Sequence, residues 1–163
     1  MLGVVRVRPA TLDDCAAIGR GMKAVVDEGT WLATESTTSA GALEQRHRQA
    51  IEDGEPVFVL EDEGEVVGAL GLRPTRAGGV LSLGMWILAS HRGHGGGRML
   101  MDAALAARPA DVHKIELEVW PDNEAAISLY GGMGFEREGL RRNHYRRQDG
   151  SLRSALIMSR LFE

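Results

Sequence analysis

Residues 91 to 100 read HRGHGGGRML, which sets Gly93, Gly95, Gly96 and Gly97 among His94 and the arginines Arg92 and Arg98. A glycine has no Cβ, so an anion can approach its main chain closely and a positive φ costs it little. Where such a run passes from a strand into a helix, successive N–H groups and the positive helix end converge on one point. The chemistry this predicts is phosphate binding. A tight turn without a ligand is the competing reading, because 21 of the 163 residues are glycine against a usual share of about 7%.

Other phosphate loops fit less well. A Walker loop needs Gly-Lys before Ser or Thr, whereas Gly97 is followed by Arg98 and Met99. A dinucleotide fingerprint would have a third glycine where Arg98 stands, in an alternating βαβ order that the preceding hairpin breaks. Further along, VHKIELEVW places Glu116, Glu118 and Trp120 on one face of a strand, opposite Ile115, Leu117 and Val119. Two carboxylates on a central strand are costly to bury without partners. They are therefore acid–base candidates, unless an arginine pairs with them.

These side chains need a scaffold, and the pattern of apolar residues supplies one. Val5 and Val7 alternate with Arg6 and Arg8 in an opening strand that Pro9 ends. Thr11 with Asp13 or Asp14 starts a helix to about Glu28, whose apolar stripe is Ile18, Met22, Val25 and Val26, with Cys15 packed beside it. Residues 29 to 37 form a loop, and Ser39 opens a second helix to about Asp53. PVFVLEDEGEVVGALGLRPT is a hairpin about the acidic turn Asp62 to Gly64. The strand VLSLGMWIL runs into the glycines, which lead to the helix RMLMDAALAA. A strand through Glu116 and Glu118, a helix from Asn123 to about Gly132, and two strands around Gln148 to Gly150 complete the order. The expectation is one mixed α/β domain over residues 1–163. The strands before and after the helix RMLMDAALAA should be parallel, because that helix crosses between them.

Bulk composition narrows the function classes. Cys15 is the only cysteine, which excludes an internal disulfide and a multi-cysteine metal site, so no metal is expected. Arg6 and Arg8 fall where a signal peptide would be apolar, and no run of 18 apolar residues follows. A cytoplasmic protein that meets no membrane is the expectation. A net charge of −4 argues against general nucleic-acid binding, although Arg141, Arg142, Arg146 and Arg147 crowd one region. That basic run reads as a solvated hairpin, or else as a contact for an anionic ligand or partner.

Several stretches in conjunction carry a family resemblance. VRVRPATLDD, the strand GMWIL, R-x-x-G-x-G as Arg92, Gly95 and Gly97, and NEAAISLYGGMGF together resemble the GNAT superfamily of acyl-CoA-dependent N-acetyltransferases. The last stretch supplies Asn123, Ala126, Leu129, Tyr130, Gly134 and Phe135 in N-x-x-A-x-x-L-Y-x-x-x-G-F, and the resemblance covers nearly the whole chain. It implies the GNAT fold: a single mixed, mostly antiparallel sheet of about six or seven strands, with a central parallel pair splayed apart and about four flanking helices.

The resemblance also implies roles. Gly93, His94, Gly95, Gly96, Gly97 and Arg98, with Arg92, would hold the pyrophosphate of coenzyme A. Met85, Ile87 and Leu88 would offer main-chain groups to the pantetheine arm, and an amide near Ile87 would polarise the thioester carbonyl. Asn123 would contact the arm, and Tyr130 would donate a proton to the departing thiolate. Asn123 reads equally as a helix N-cap, and Tyr130 also fits a core position. An acceptor amine with a pKa near 10.4 is neutral in only about one molecule in 2,500 at pH 7, so a base or desolvation is needed; Glu118 and Glu116 are the first base candidates, with Glu35 as a rival. Trp31 and Glu35 would border the acceptor, although Trp31 also suits a place over the core.

Two positions depart from the family. Gly131 and Gly132 replace charged helix formers, so the helix should end just after Tyr130 or have a loose last turn. Gly96 replaces a branched aliphatic residue and should loosen the loop. The function implied is direct transfer of an acetyl group from acetyl-CoA to a primary amine of a small molecule, such as an amino acid, polyamine or antibiotic. A protein or peptide N-terminal acetyltransferase and a non-catalytic acyl-CoA-binding sensor are the alternatives. A homodimer is compatible with the resemblance.

Overall fold

In the computed structural model, which describes residues 4–34 and 37–163, the opening alternation forms β1 (Arg6–Pro9). A single turn at Leu12–Asp14 leads into α1 (Cys15–Asp27), and α2 (Ala40–Glu52) follows. Next come β2 (Val57–Asp62), β3 (Glu65–Pro74), β4 (Val80–Ile87) and α3 (Gly96–Ala106). β5 (Lys114–Val119), α4 (Glu124–Gly132), β6 (Glu136–Arg146) and β7 (Leu152–Leu161) end the chain. Hydrogen-bonded strand neighbours follow the order β1-β2-β3-β4-β5-β7-β6. β4 and β5 are parallel, whereas β1/β2, β2/β3, β5/β7 and β6/β7 are antiparallel. The fold is thus the mixed seven-stranded sheet with four helices that the resemblance implies. Among the described residues, no helix is long and apolar enough to cross a membrane.

Contacts gather the chain into two units, and β4 is divided between them. The first unit comprises Met1–Arg73 and Gly84–Arg108. Its core joins Ile18 and Val25 of α1 and Ala50 of α2 to Val57, Val59, Ala69 and Trp86 of the strands. Gly21 makes room for Trp86, because a Cβ there would lie 2.3 Å from the ring. Gly96 has a similar packing reason. It is buried at the first residue of α3, and a Cβ would meet Leu60 Cδ2 at 2.5 Å. The expected loosening is therefore not what the glycine does; it lets the helix start close over β2. Cys15 is fully buried in this unit, and burial pushes its thiol up.

The second unit comprises Pro74–Leu83 and Pro109–Glu163. Ile115, Leu117 and Val119 of β5 are buried beside Leu156 and Met158 of β7. α4 ends at Gly132, two residues after Tyr130 and where the sequence indicated. Its end is fixed two residues further on by Gly134 at φ 85. The Phe135 N–H donates to the Tyr130 carbonyl at 3.0 Å, and the Gly134 N–H to Gly131 at 3.1 Å, a paired arrangement that closes a helix C-terminus. β6 is longer than its sequence suggested and takes in Arg141, Arg142 and Arg146 as exposed strand residues. Its pairing with β7 is irregular between Arg141 and Tyr145.

Candidate active site

The glycine run links β4 to α3. Gly93 (φ 77) and Gly95 (φ 86) occupy the left-handed region, and a Cβ on either would meet nothing within 4 Å. The first ladder bond runs from the Met99 N–H to the Gly95 carbonyl at 3.1 Å. The amides of Gly96, Gly97 and Arg98 therefore precede any intrahelical acceptor. Gly93, His94, Gly95 and Arg98 are exposed, whereas Gly96 and Gly97 are buried in the first turn of α3. What results is a run of amides at a positive helix end, with Gly93, His94, Gly95 and Arg98 at the surface.

Arg92 is engaged on all sides. Its Nη1 and Nη2 donate to the two oxygens of Glu28 at 2.8 and 2.7 Å, and its Nε donates to the Ile87 carbonyl at 2.9 Å. The guanidinium ties the loop to the end of α1 and the end of β4. Arg92, and then the Trp31 indole, hold the Glu28 carboxyl below its usual range. Trp31 is 39% exposed; Glu35 lies outside the described residues. His91 turns toward the hairpin, with Nε2 3.0 Å from Asp62 Oδ2 and Nδ1 2.8 Å from Ser90 Oγ. The Leu88 N–H donates to the Val67 carbonyl, and the Leu88 carbonyl accepts from His91. Because main-chain groups alternate in direction along a strand, Met85 and Ile87 aim theirs away from β3.

On α4, Asn123 is the N-cap, its Oδ1 accepting from the Ala126 N–H at 3.2 Å. Tyr130 is 7% exposed, with its ring 6.1 Å from that of Phe135. Burial alone pushes its phenol up to about 12.

The parallel ladder of β4 and β5 runs through Val80↔Lys114, Leu81↔Ile115 and Ser82↔Glu116, and stops there. A cavity of about 300 Å³ opens at that point, walled by Ser82, Leu83, Leu117 and Ile157 and carrying Glu116, Glu118 and Tyr145. Glu118 Oε1 accepts from Arg141 Nη1 at 2.6 Å, and its Oε2 accepts from the Tyr145 hydroxyl. The arginine partner left open by the sequence is thus Arg141. Glu116 Oε2 lies 3.8 Å from Lys114 Nζ, which binds Glu138 more closely at 2.7 Å. Asn123 and Tyr130 are not among the residues lining this cavity.

The model of the acetyltransferase (GNAT) family matches residues 25–135, from α1 to Phe135. The chain belongs to that family. Its match to the N-alpha-acetyltransferase RimI of Mycobacterium tuberculosis is 44% identical over 57 residues, 35% of each chain. The chain thus spans about a third of the length of that curated relative. Two solved structures match over nearly their whole length. The ribosomal-protein-alanine N-acetyltransferase of Brucella melitensis is 26% identical with a TM-score of 0.85, over 96% of this chain and 99% of that one. The spermidine N-acetyltransferase of Vibrio cholerae, in complex with CoA and spermine, is 25% identical with a TM-score of 0.80, over 96% and 95%.

The GNAT match contains the glycine loop, Glu116, Glu118, Asn123 and Tyr130, and stops before β6. Tyr145 and Arg141 lie beyond it. The sequence offered Arg141 only as part of a basic run and offered nothing for Tyr145, because both reach Glu118 across an intervening strand.

Proposed function

We propose that the chain, working as one GNAT domain over residues 1–163 in the cytoplasm, transfers an acetyl group from acetyl-CoA directly to a primary amine. The observation that carries this is the run from Gly93 to Arg98 at the start of α3, exposed at Gly93, His94, Gly95 and Arg98, with the amides of Gly96, Gly97 and Arg98 ahead of the first ladder bond. That cradle fits a pyrophosphate, since the left-handed glycines bring the main chain to the anion without a Cβ between them. Arg98 and His94 add exposed donors beside it. Arg92 acts by holding the loop against Glu28 and Ile87. When bound, acetyl-CoA supplies the activated acetyl thioester. Met85 offers it main-chain groups, Ile87 offers only its amide because its carbonyl accepts from Arg92, the amide near Ile87 polarises the thioester carbonyl, and Asn123 offers its amide nitrogen.

Tyr130 keeps its proton at working pH and gives it to the leaving sulfur. Glu116 and Glu118 face the acceptor cavity, where one of them relieves the incoming ammonium of its proton. A small-molecule amine suits the cavity's volume. The N-terminal α-amine of a protein is the second reading, favoured by the likeness to RimI. A thiol-release assay with acetyl-CoA and a panel of amines and N-terminal peptides tests both. Release is expected with at least one acceptor, and Tyr130→Phe should lower kcat about a hundredfold. Saturable CoA binding without release for any acceptor would leave a non-catalytic sensor instead.

A further inference from the structure

Tyr145 reaches the cavity by way of a deformed edge strand. Arg141 of β6 pairs with Ala155 and Tyr145 with Arg153, so β6 spends four residues where β7 spends two. Inside that bulge Asn143 is left-handed at φ 48, and its N–H donates to Ser154 Oγ at 3.0 Å. Bulges turn a strand and re-aim its side chains. Here the Tyr145 ring stands edge-on to buried Trp120, centroids 5.5 Å apart, and its hydroxyl donates to Glu118 two strands away. With Arg141 on the other oxygen, both heads of the Glu118 carboxylate are held from β6, and Ile157, the β7 partner of Glu118, forms the wall beneath.

This fixed carboxylate shares the cavity with a second. Glu116 and Glu118 lie on one face of β5, roughly 7 Å apart along the strand. Among the described residues the lining carries no cationic side chain, its other walls being Ser82, Leu83, Leu117 and Ile157; Arg141 on Glu118 and Lys114, 3.8 Å from Glu116, lie outside it and offset part of the negative charge. An ammonium group placed there is attracted by both carboxylates. A carboxylate beside the reacting nitrogen would be repelled by both. We propose that Tyr145 sets the acceptor specificity of this site: by fixing Glu118 against the cavity it selects a compact cationic amine with no carboxylate next to its nitrogen. The proposal rests on the acetyl-transfer reading above, and it removes free α-amino acids from the small acceptors that reading admits.

The test compares wild type with Tyr145→Phe, which keeps the ring and removes the hydroxyl, using 1,3-diaminopropane and glycine as acceptors. Wild type should favour the diamine by at least about tenfold in kcat/KM. Tyr145→Phe should raise KM for the diamine about tenfold, as expected for loss of a hydrogen bond to a charged group, with a smaller change in KM for acetyl-CoA. Equal KM values for the diamine in the two proteins, a preference for glycine, or a parallel rise in KM for acetyl-CoA overturns it. If wild type releases thiol with no amine, the acetyl-transfer reading fails separately. Calorimetric binding of 1,3-diaminopropane then decides the proposal, which a Kd unchanged by Tyr145→Phe, or no binding to wild type, overturns. Glu118→Gln supplies the second variant and should bind the diamine no more tightly than glycine; retained discrimination counts against the anchor.

Discussion

A buried phenol with a raised pKa is a poor base and a durable acid. Tyr130 is held at about 12 by burial alone, and the form that donates is the neutral one. Its proton is therefore present at all lower pH and is lost only as pH rises through that value. We expect kcat to show no alkaline fall between roughly pH 8 and pH 10. A descending limb in that range that disappears in Tyr130→Phe would assign the phenol an ordinary pKa and contradict its burial. Arg92 makes a second prediction at this scale. If it serves the loop through Glu28, then Glu28→Gln and Arg92→Ala should both raise KM for acetyl-CoA, and the double variant should cost less than the two effects combined. An unchanged KM in Glu28→Gln would return Arg92 to direct contact with the phosphates.

At the scale of elements, α4 has the bounds its residues suggested, from the Asn123 cap to Gly132. Ser39 and Asn123 were legible as N-caps because capping is local, and each accepts from the amide three residues on. Gly131 and Gly132 marked the end of the helix, whereas the closing bonds about Gly134 that hold its last turn leave no local signal of their own. A Cβ on either glycine would meet nothing within 4 Å. Gly131→Ala and Gly132→Ala should therefore each stabilise the protein by about 0.5 to 1 kcal/mol, measured as a higher denaturant midpoint. Gly134→Ala should do the reverse by about 1 to 2 kcal/mol, since its φ of 85 lies where a Cβ is strained. Destabilisation by all three would mean that Gly131 and Gly132 are not helical in the folded protein. The glycine loop and β5 were legible from the order of elements around them. The hold of β6 on Glu118 was not, because a bulge and a reach over β7 leave no trace in local periodicity.

For the molecule as a whole, acid should be the destabilising direction, and three groups of the first unit say where. Burial lowers the pKa of His47, so the unfolded chain takes up a proton there before the folded one does. Stability should begin to fall as pH drops below about 6.5, the ordinary value for histidine. Asp14 is held below its usual range chiefly by Arg8, and Glu61 by Arg6 and then Arg8. The Arg8 guanidinium lies 2.8 Å from each carboxylate, fastening β1 to β2 and to the turn before α1. Their contribution is complete above about pH 4.5 and is lost as pH falls through their depressed folded values. Urea midpoints measured from pH 7.5 downward should thus decline in two stages. The upper stage should vanish in a His47→Gln variant, and Arg8→Ala should remove most of the lower one. A midpoint that stays level from neutral pH to about pH 4.5 would mean that His47 is as accessible to protons folded as unfolded.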